Sequence, residues 1–137
     1  MNPLKTLSII IPSYNFENAD TVLKSLIPID PLEIIVVDSS PKPPTLPEND
    51  KIKLLHQKDR KFPGAARNIG ASKARGDYLL FVDADVILSV SAINFIKSFI
   101  KNNSEDLAFG IYEPDNYNFP TKLQVDFQRY RFLKEFR

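Results

Sequence analysis

The sequence predicts an α/β domain with a mostly parallel sheet sandwiched by helices. Apolar strand-like segments alternate with helical segments along the chain, which is the order that produces parallel sheets with right-handed crossovers. The second strand-like segment is continuously apolar rather than alternating, as strands buried on both faces are. The chain has 137 residues, which is enough for one compact domain with its own core.

The first part of the chain supplies two strands, one helix and a long loop. Residues 7–11 are rich in β-branched side chains and predict the first strand. Residues 18–26 predict a helix with apolar side chains on its inner side, and residues 33–37 predict the second strand. The loop over residues 39–50 contains four prolines, which neither a helix nor a central strand tolerates.

A third strand, a helix and a fourth strand follow. Residues 52–56 are a short apolar run that predicts the third strand. Residues 63–74 predict a helix, since a proline stands in the first turn and Gly76 follows its end. The apolar run over residues 77–82 predicts a fourth, buried strand.

The remaining residues predict two helical segments with a strand between them. Residues 90–101 have isoleucines at helical spacing, and Ser89 is placed to cap their first turn. Residues 107–112 predict a fifth strand. After Pro120, apolar residues recur on one helical face, which predicts a C-terminal helical segment over about 121–137.

The composition is that of an ordinary globular protein and excludes several classes of function. The formal net charge is +1, so no nucleic-acid-binding surface is indicated. Cysteine is absent, which excludes disulfides and thiolate metal sites and fits a cytoplasmic protein. The only histidine is His56, which leaves little material for a Ser-His-Asp mechanism. No apolar run reaches the roughly 18 residues of a membrane span.

The most informative segment is Asp83-Ala84-Asp85, which directly follows the fourth strand. Two carboxylates at the mouth of a buried strand are costly unless they bind something, and a divalent cation is the usual partner. Arg67 lies upstream in the small-residue helix start 64–70. Metal-binding carboxylates opposite an arginine suggest a diphosphate between them.

Polar residues also follow the first two strands. Pro12, Ser13, Tyr14 and Asn15 come after the first, and Asp38 begins the segment 38–40 after the second. In an open parallel sheet, ligands bind outside the carboxyl ends of the strands. These residues therefore predict a nucleotide lying along that edge.

Each of these groups also has a structural interpretation. An Asp-X-Asp pair alone is more often a turn or strand-end cap than a metal site, and Asp38 could cap its own turn. Arg67 could equally form an ion pair with Asp77 or Asp83. Tyr14 could be ordinary loop packing. The combination of segments, rather than any one of them, favours a ligand site.

Four segments together resemble family 2 glycosyltransferases, namely Ser8-Ile9-Ile10-Ile11-Pro12-Ser13-Tyr14-Asn15, Ile34-Ile35-Val36-Val37-Asp38-Ser39-Ser40, Gly64-Ala65-Ala66-Arg67-Asn68-Ile69-Gly70 and Ala74-Arg75-Gly76-Asp77-Tyr78 through Phe81-Val82-Asp83-Ala84-Asp85. The resemblance implies the Rossmann-like GT-A fold and transfer of a sugar from a nucleotide-diphosphate donor. A UDP-sugar is the default expectation, and Asp38 could also pair with an N–H group of guanine or thymine. It implies a nucleotide-binding core over about 5–112.

The resemblance also implies which residues bind the donor. The implied nucleotide-sugar-binding residues are Pro12, Tyr14, Asn15, Asp38, Arg67 and Asp83. Tyr14 would pack on the base, Asp38 would accept a hydrogen bond from it, and Asp83 would bind the ribose. Asp85, together with Asp83, would hold Mg²⁺ or Mn²⁺ against the diphosphate.

An inverting transfer also needs a base that takes the proton from the acceptor hydroxyl. In the family this base lies in the later, acceptor-binding half, so we expect it beyond residue 137. Glu113 and Asp115 are not assigned this role, because the acid-pair motif of the family is not around them. The chain is therefore expected to supply the donor half and to stop before the acceptor-binding half. A further departure is Ser39-Ser40, which stands where many members have an acidic residue and a glycine.

The C-terminal segment 122–137 carries basic residues around an aromatic face. One interpretation is peripheral association with the inner face of an anionic membrane, which would suit the lipid-linked or glycan acceptors of many family members. The other, which we favour, is a helix that packs on the rest of a longer domain, since its apolar residues are ordinary core types. Left uncovered, that face would favour self-association.

Three functions remain open at this point. The first is a metal-dependent, inverting glycosyltransferase of which this chain provides donor binding. The second is a nucleotide-sugar-binding module without turnover, either degenerate or regulatory. The third, a sugar-nucleotide nucleotidyltransferase, would need a glycine-rich, basic loop after the first strand, and residues 13–17 contain no glycine.

Overall fold

A computed structural model describes residues 4–102 of the chain, and they form a parallel sheet covered on both faces by helices. The sheet has four strands in the order β3-β2-β1-β4. They are β1 (Leu7–Ser13), β2 (Glu33–Asp38), β3 (Ile52–His56) and β4 (Tyr78–Phe81). The helices of this part are α1 (Ala19–Leu26), α2 (Pro63–Lys73) and α3 (Val90–Asn102), with a short 3-10 turn at Ile27–Ile29. This arrangement confirms the predicted fold class.

The two central strands are buried along their whole length. Every residue of β1 and β2 is buried, which explains why β2 is continuously apolar rather than alternating. The strands pair in parallel from Ser8 opposite Glu33 to Ser13 opposite Asp38. Both strands therefore end at the same edge of the sheet.

The helices divide between the two faces of the sheet. Ile9, Ile11, Ile34 and Val36 point to one face, where α1 covers them and the isoleucines of α3 pack against the same cluster. Ile35 and Val37 point to the other face and pack with Ala66 of α2. The alternation of side chains along each strand thus gives each face its own apolar layer.

Gly70 allows α2 to approach the sheet closely. A Cβ atom at this position would lie 2.5 Å from Cγ2 of Ile10 and 3.2 Å from Cγ2 of Val37. Gly64, in the same segment, has no atom within 4 Å of such a Cβ. The second glycine of the segment 64–70 is therefore required for helix–sheet packing.

A buried carboxylate, Glu33, joins elements at the amino-terminal edge of the sheet. Its side chain is 1% exposed and accepts hydrogen bonds from the Ser8 hydroxyl (2.8 Å), the Lys53 ammonium (2.7 Å) and the Arg75 backbone N–H (2.7 Å). Burial alone would raise the pKa of Glu33, but the hydrogen bonds from Lys53, Arg75 and Ser8 lower it to about 2. The Ser8 hydroxyl in turn accepts the Gly76 N–H at 2.8 Å. This group lies at the edge opposite to the candidate site.

Some element boundaries differ from the sequence-based predictions. β1 continues through Pro12 to Ser13, because pairing with β4 ends at Ile10 and the missing proline N–H is not needed there. β4 is shorter than the predicted residues 77–82. The prediction that this strand is buried is wrong, since Leu79 and Phe81 are 42% and 45% exposed. The reason is that β4 is an edge strand within the described residues. The predicted cap of α3 is confirmed by a hydrogen bond from the Ala92 N–H to the Ser89 hydroxyl.

Several predictions fall outside the described residues and stay predictions. They are the fifth strand at 107–112, the end of the core at about 112, the C-terminal helical segment at about 121–137, and the two carboxylates Glu113 and Asp115. None of the helices in residues 4–102 has the length and apolar character of a membrane-spanning helix.

Candidate functional site

The residues predicted to bind a ligand lie where β1, β2 and β4 end. Ser13 and Asp38 are paired at the last position of the β1–β2 register. Asp83 lies in the turn after β4, where its carbonyl accepts a hydrogen bond from the Val86 N–H at 3.1 Å. Because the strands are parallel, all three ends meet at one edge, as the sequence predicted.

Asp38 is fully buried and is held by protein hydrogen bonds. Oδ2 accepts from the hydroxyls of Ser13 (2.8 Å) and Ser40 (2.7 Å), and Oδ1 accepts from the Ser40 N–H (2.9 Å). Nδ1 of His56 lies 3.3 Å from Oδ1. A carboxylate offers about four acceptor positions, so this environment occupies all of them. A ligand could reach Asp38 only by displacing one of these donors, and the His56 contact is the longest.

Asn15 contributes to the site through its backbone. Its φ of 57° is in the left-handed region, which asparagine tolerates better than most residues. In this conformation the Asn15 N–H donates to the Ser40 hydroxyl at 2.7 Å. The turn after β1 is thereby fixed to the loop after β2. Pro12, which precedes this turn, is buried at the end of β1.

The ring of Tyr14 faces solvent at this edge and is covered by an arginine. Tyr14 is 42% exposed, and the guanidinium carbon of Arg60 lies 4.5 Å from the centre of its ring. This is a cation–π contact between two exposed side chains. Tyr14 is therefore a surface residue at this edge rather than part of the core.

Arg67 and Asp83 form an ion pair across the site. Nη2 of Arg67, on α2, donates to Oδ1 of Asp83 at 2.5 Å, and both side chains are about one third exposed. Of the two alternatives left open by the sequence, the structure shows this pair. Asp77 instead accepts hydrogen bonds from the backbone N–H and the hydroxyl of Thr6. A cation and a carboxylate thus lie together, and Asp85, two residues further along the chain from Asp83, is exposed.

Asp83 and Asp85 have the donor chemistry of a magnesium or manganese site. Both ions prefer carboxylate oxygens, and Mg²⁺ is commonly held by one or two carboxylates together with substrate phosphates. Within residues 4–102, no group of three or more His, Cys, Asp or Glu side chains could hold a metal by itself. Asp83 and Asp85 would therefore supply only part of the ligand set of such an ion.

The sequence did not reveal the contacts that His56 and Arg60 make at this edge. His56 is the last residue of β3, and β3 pairs with β2 so that His56 lies directly opposite Asp38. A strand register could have revealed this contact, because both residues are the last of their strands. Arg60 carried no signal, since the loop between β3 and α2 had no predicted geometry.

Comparison with known proteins identifies the family. The model of the glycosyl transferase family 2 matches residues 8–137. The poly(ribitol-phosphate) beta-glucosyltransferase of Bacillus spizizenii is 30% identical over 123 residues, which cover 76% of this chain and 18% of that protein. Glycosyltransferase GlyG of Streptococcus pneumoniae is 26% identical over 118 residues, which cover 77% of this chain and 38% of that protein.

The fold agrees with this assignment. The crystal structure of TarS from Staphylococcus aureus is similar with a TM-score of 0.54 and 25% sequence identity, over 71% of this chain and 20% of that one. This likeness confirms the Rossmann-like GT-A fold that the sequence predicted. The chain spans less than half the length of these relatives. It belongs to the family 2 glycosyltransferases.

Proposed function

We propose that this chain is the donor-binding part of a metal-dependent, inverting glycosyltransferase that uses a nucleotide-diphosphate sugar. The observation that carries the proposal is the meeting of Tyr14, Asp38, Asp83 and Arg67 at one edge of the sheet. The order and chemistry of these groups match the parts of such a donor. An aromatic ring suits the base, carboxylates suit the ribose and a metal, and a cation suits the diphosphate.

The base is proposed to bind against Tyr14 and near Asp38. The ring of Tyr14 would supply a stacking surface, and the Asp38 carboxylate lies at the end of the neighbouring strand. A base N–H that reached Asp38 would take the place of the long His56 contact at 3.3 Å. The cost of this exchange is small, because a long contact is weaker than the hydroxyl bonds that remain. Uridine is the proposed nucleoside.

The diphosphate is proposed to lie between Arg67 and the aspartates. Asp85, with Asp83, would hold Mg²⁺ or Mn²⁺, which would supply charge neutralisation to the departing diphosphate. Arg67 would bind a phosphate oxygen and give up part of its contact with Asp83. The contact with Asp83 already holds the Arg67 guanidinium group at this edge of the sheet without a donor.

Transfer requires a group beyond those of the site. The acceptor hydroxyl attacks the anomeric carbon while the bond from that carbon to the diphosphate oxygen breaks, and the hydroxyl proton passes to a carboxylate base. We propose that this base belongs to the acceptor-binding half of the enzyme. The relative from Bacillus spizizenii is named for poly(ribitol-phosphate), and we propose a glycan or lipid-linked polymer as the acceptor here. The proposed location is the cytoplasm, at or near the inner face of the membrane.

Calorimetric titration with UDP and GDP, with and without Mn²⁺, tests donor binding. We expect micromolar to millimolar affinity for UDP that requires the metal and is lost in Asp85→Ala. Asp50→Ala removes an exposed carboxylate from the loop after β2 and should bind UDP like the parent chain. Failure of a folded parent chain to bind either nucleotide would refute the proposal. Binding that is equal with and without metal would refute the metal site alone.

A nucleotide-sugar-binding module without turnover is the alternative. It shares every donor contact and differs only in lacking a base that activates an acceptor or water. Slow, metal-dependent hydrolysis of a UDP-sugar by the protein would favour the enzyme. Binding without hydrolysis or transfer to any tested acceptor would favour the module.

A further inference from the structure

The contact between Arg60 and Tyr14 places a cation over the ring that the proposed function assigns to the base. The guanidinium carbon lies 4.5 Å from the ring centre, which is within the range of a cation–π contact. Both side chains are exposed, so neither is held there by a buried environment. The position that a base would occupy on this face of the ring is filled by the arginine.

The loop that carries Arg60 is fixed to the end of β2 on both sides of this residue. The Gln57 N–H donates to the Asp38 carbonyl at 2.8 Å, and the Lys61 N–H donates to the Ser39 hydroxyl at 3.0 Å. The backbone of the loop is therefore anchored beside Asp38. The exposed Arg60 side chain extends from this anchored segment over the edge of the sheet.

We propose that Arg60 forms the outer wall of the base pocket, and that the base inserts between its guanidinium group and the ring of Tyr14. This inference rests on the proposed function. Inserting a base requires the guanidinium group to retreat by the thickness of one ring, about 3.5 Å. An arginine side chain with several rotatable bonds can make this movement without any change in the anchored loop.

The chemistry of the arginine suits this position. A guanidinium group is planar, delocalised and weakly hydrated, so it stacks on a base as readily as on a tyrosine ring. Without a ligand it covers the apolar face of Tyr14, and with a ligand it covers the base. Since every base has a π face, Arg60 adds affinity for nucleotides in general. The Asp38 carboxylate would select among bases, because it accepts a hydrogen bond from a base N–H.

UDP titration of Arg60 variants in the presence of Mn²⁺ tests this inference on the 137-residue chain. We expect Arg60→Ala to weaken UDP binding about fivefold, since stacking of this kind at a partly exposed site contributes a factor of that order. Arg60→Lys should lose most of the same affinity, because an ammonium keeps the charge but not the planar surface. Lys58→Ala, a control in the same loop, should change UDP affinity less than twofold. The affinity for pyrophosphate, measured by competition with UDP, should be the same in Arg60→Ala and the parent chain.

The outcomes separate this inference from the proposed function. If the parent chain binds no nucleotide, the proposed function falls and the inference with it. If the parent chain binds UDP but Arg60→Ala binds it equally or more tightly, the inference alone is overturned, and Arg60 is a bystander or a competitor of the base. Equal loss of pyrophosphate affinity would also overturn it, because Arg60 would then contact phosphate. Full affinity in Arg60→Lys would overturn it as well, because charge rather than stacking would then be responsible.

Discussion

Replacing Glu33 by glutamine should lower the free energy of unfolding, and the loss should be much larger at pH 7 than at pH 3. The substitution keeps the shape of the side chain but removes its charge from a site where it is 1% exposed. Lys53 and the Arg75 backbone N–H each donate to it at 2.7 Å, and the Arg75 Nε lies 3.4 Å from Oε2. The substitution therefore removes the charged acceptor that joins β2, β3 and the segment between α2 and β4.

The pKa of Glu33 gives the size of the effect. It is lowered from its ordinary value of 4.5 to about 2 in the folded chain. At about 1.4 kcal/mol for each pKa unit, the ionised form stabilises the fold by about 3 kcal/mol at neutral pH. Lys53 and Arg75 are 44% and 63% exposed, and solvent screening weakens their attraction, so we expect a measured loss of about 2 kcal/mol.

The pH dependence follows from the direction of the shift. A carboxyl group whose folded pKa is depressed contributes its full stabilisation above its unfolded pKa and loses it as the pH falls through the folded value. The contribution of Glu33 is therefore complete above about pH 5 and declines between 4.5 and 2. At pH 3 the difference between the parent chain and Glu33→Gln should shrink to about 1 kcal/mol.

Urea denaturation of both chains at pH 7 and pH 3, followed by circular dichroism, measures this difference. Asp20→Asn is the matched control, because Asp20 pairs with Lys24 at 2.7 Å on the exposed surface of α1. We expect that control to cost less than about 0.5 kcal/mol at either pH. A Glu33→Gln chain as stable as the parent at pH 7 would refute the reasoning. So would a deficit that stays constant between the two pH values.

Two further substitutions test the close packing of α2 and the Asp38 group. Gly70→Ala should lower the free energy of unfolding by about 1–3 kcal/mol in a urea titration, because its Cβ would lie 2.5 Å from the Ile10 side chain. Gly64→Ala is the control: its Cβ would meet no atom within 4 Å, so it should be neutral or slightly stabilising. Equal effects of the two substitutions would contradict the packing argument. Asp38→Asn should lower the free energy of unfolding by about 2–3 kcal/mol, because an amide NH₂ would face protein donors in a buried site. The same substitution should weaken UDP binding. A thermal melt that matches the parent chain would count against the hydrogen-bond network around Asp38.

The sequence predicted much of the fold because its strands carry a strong local signal. The continuous apolar run of β2 and the proline at the first turn of α2 each identify an element without reference to any other part of the chain. Boundaries were less well predicted, because they depend on partners. Pro12 belongs to β1 only because β4 has stopped pairing by that point, and the exposure of β4 depends on which strands flank it.

The sequence predicted which polar residues follow the strands at one edge of the sheet, but not the contacts between them. The sequence by itself determined that polar groups follow the strands and that four segments match the family 2 glycosyltransferases, because both are properties of residues close together along the chain. Tertiary structure alone decided that Arg67 pairs with Asp83, that Ser13 and His56 contact Asp38, and that Arg60 covers Tyr14. These contacts join residues that are distant in the sequence, and they depend on the register of parallel strands and on the path of a loop. Neither is fixed by local propensity, since both are set by the packing of the whole sheet.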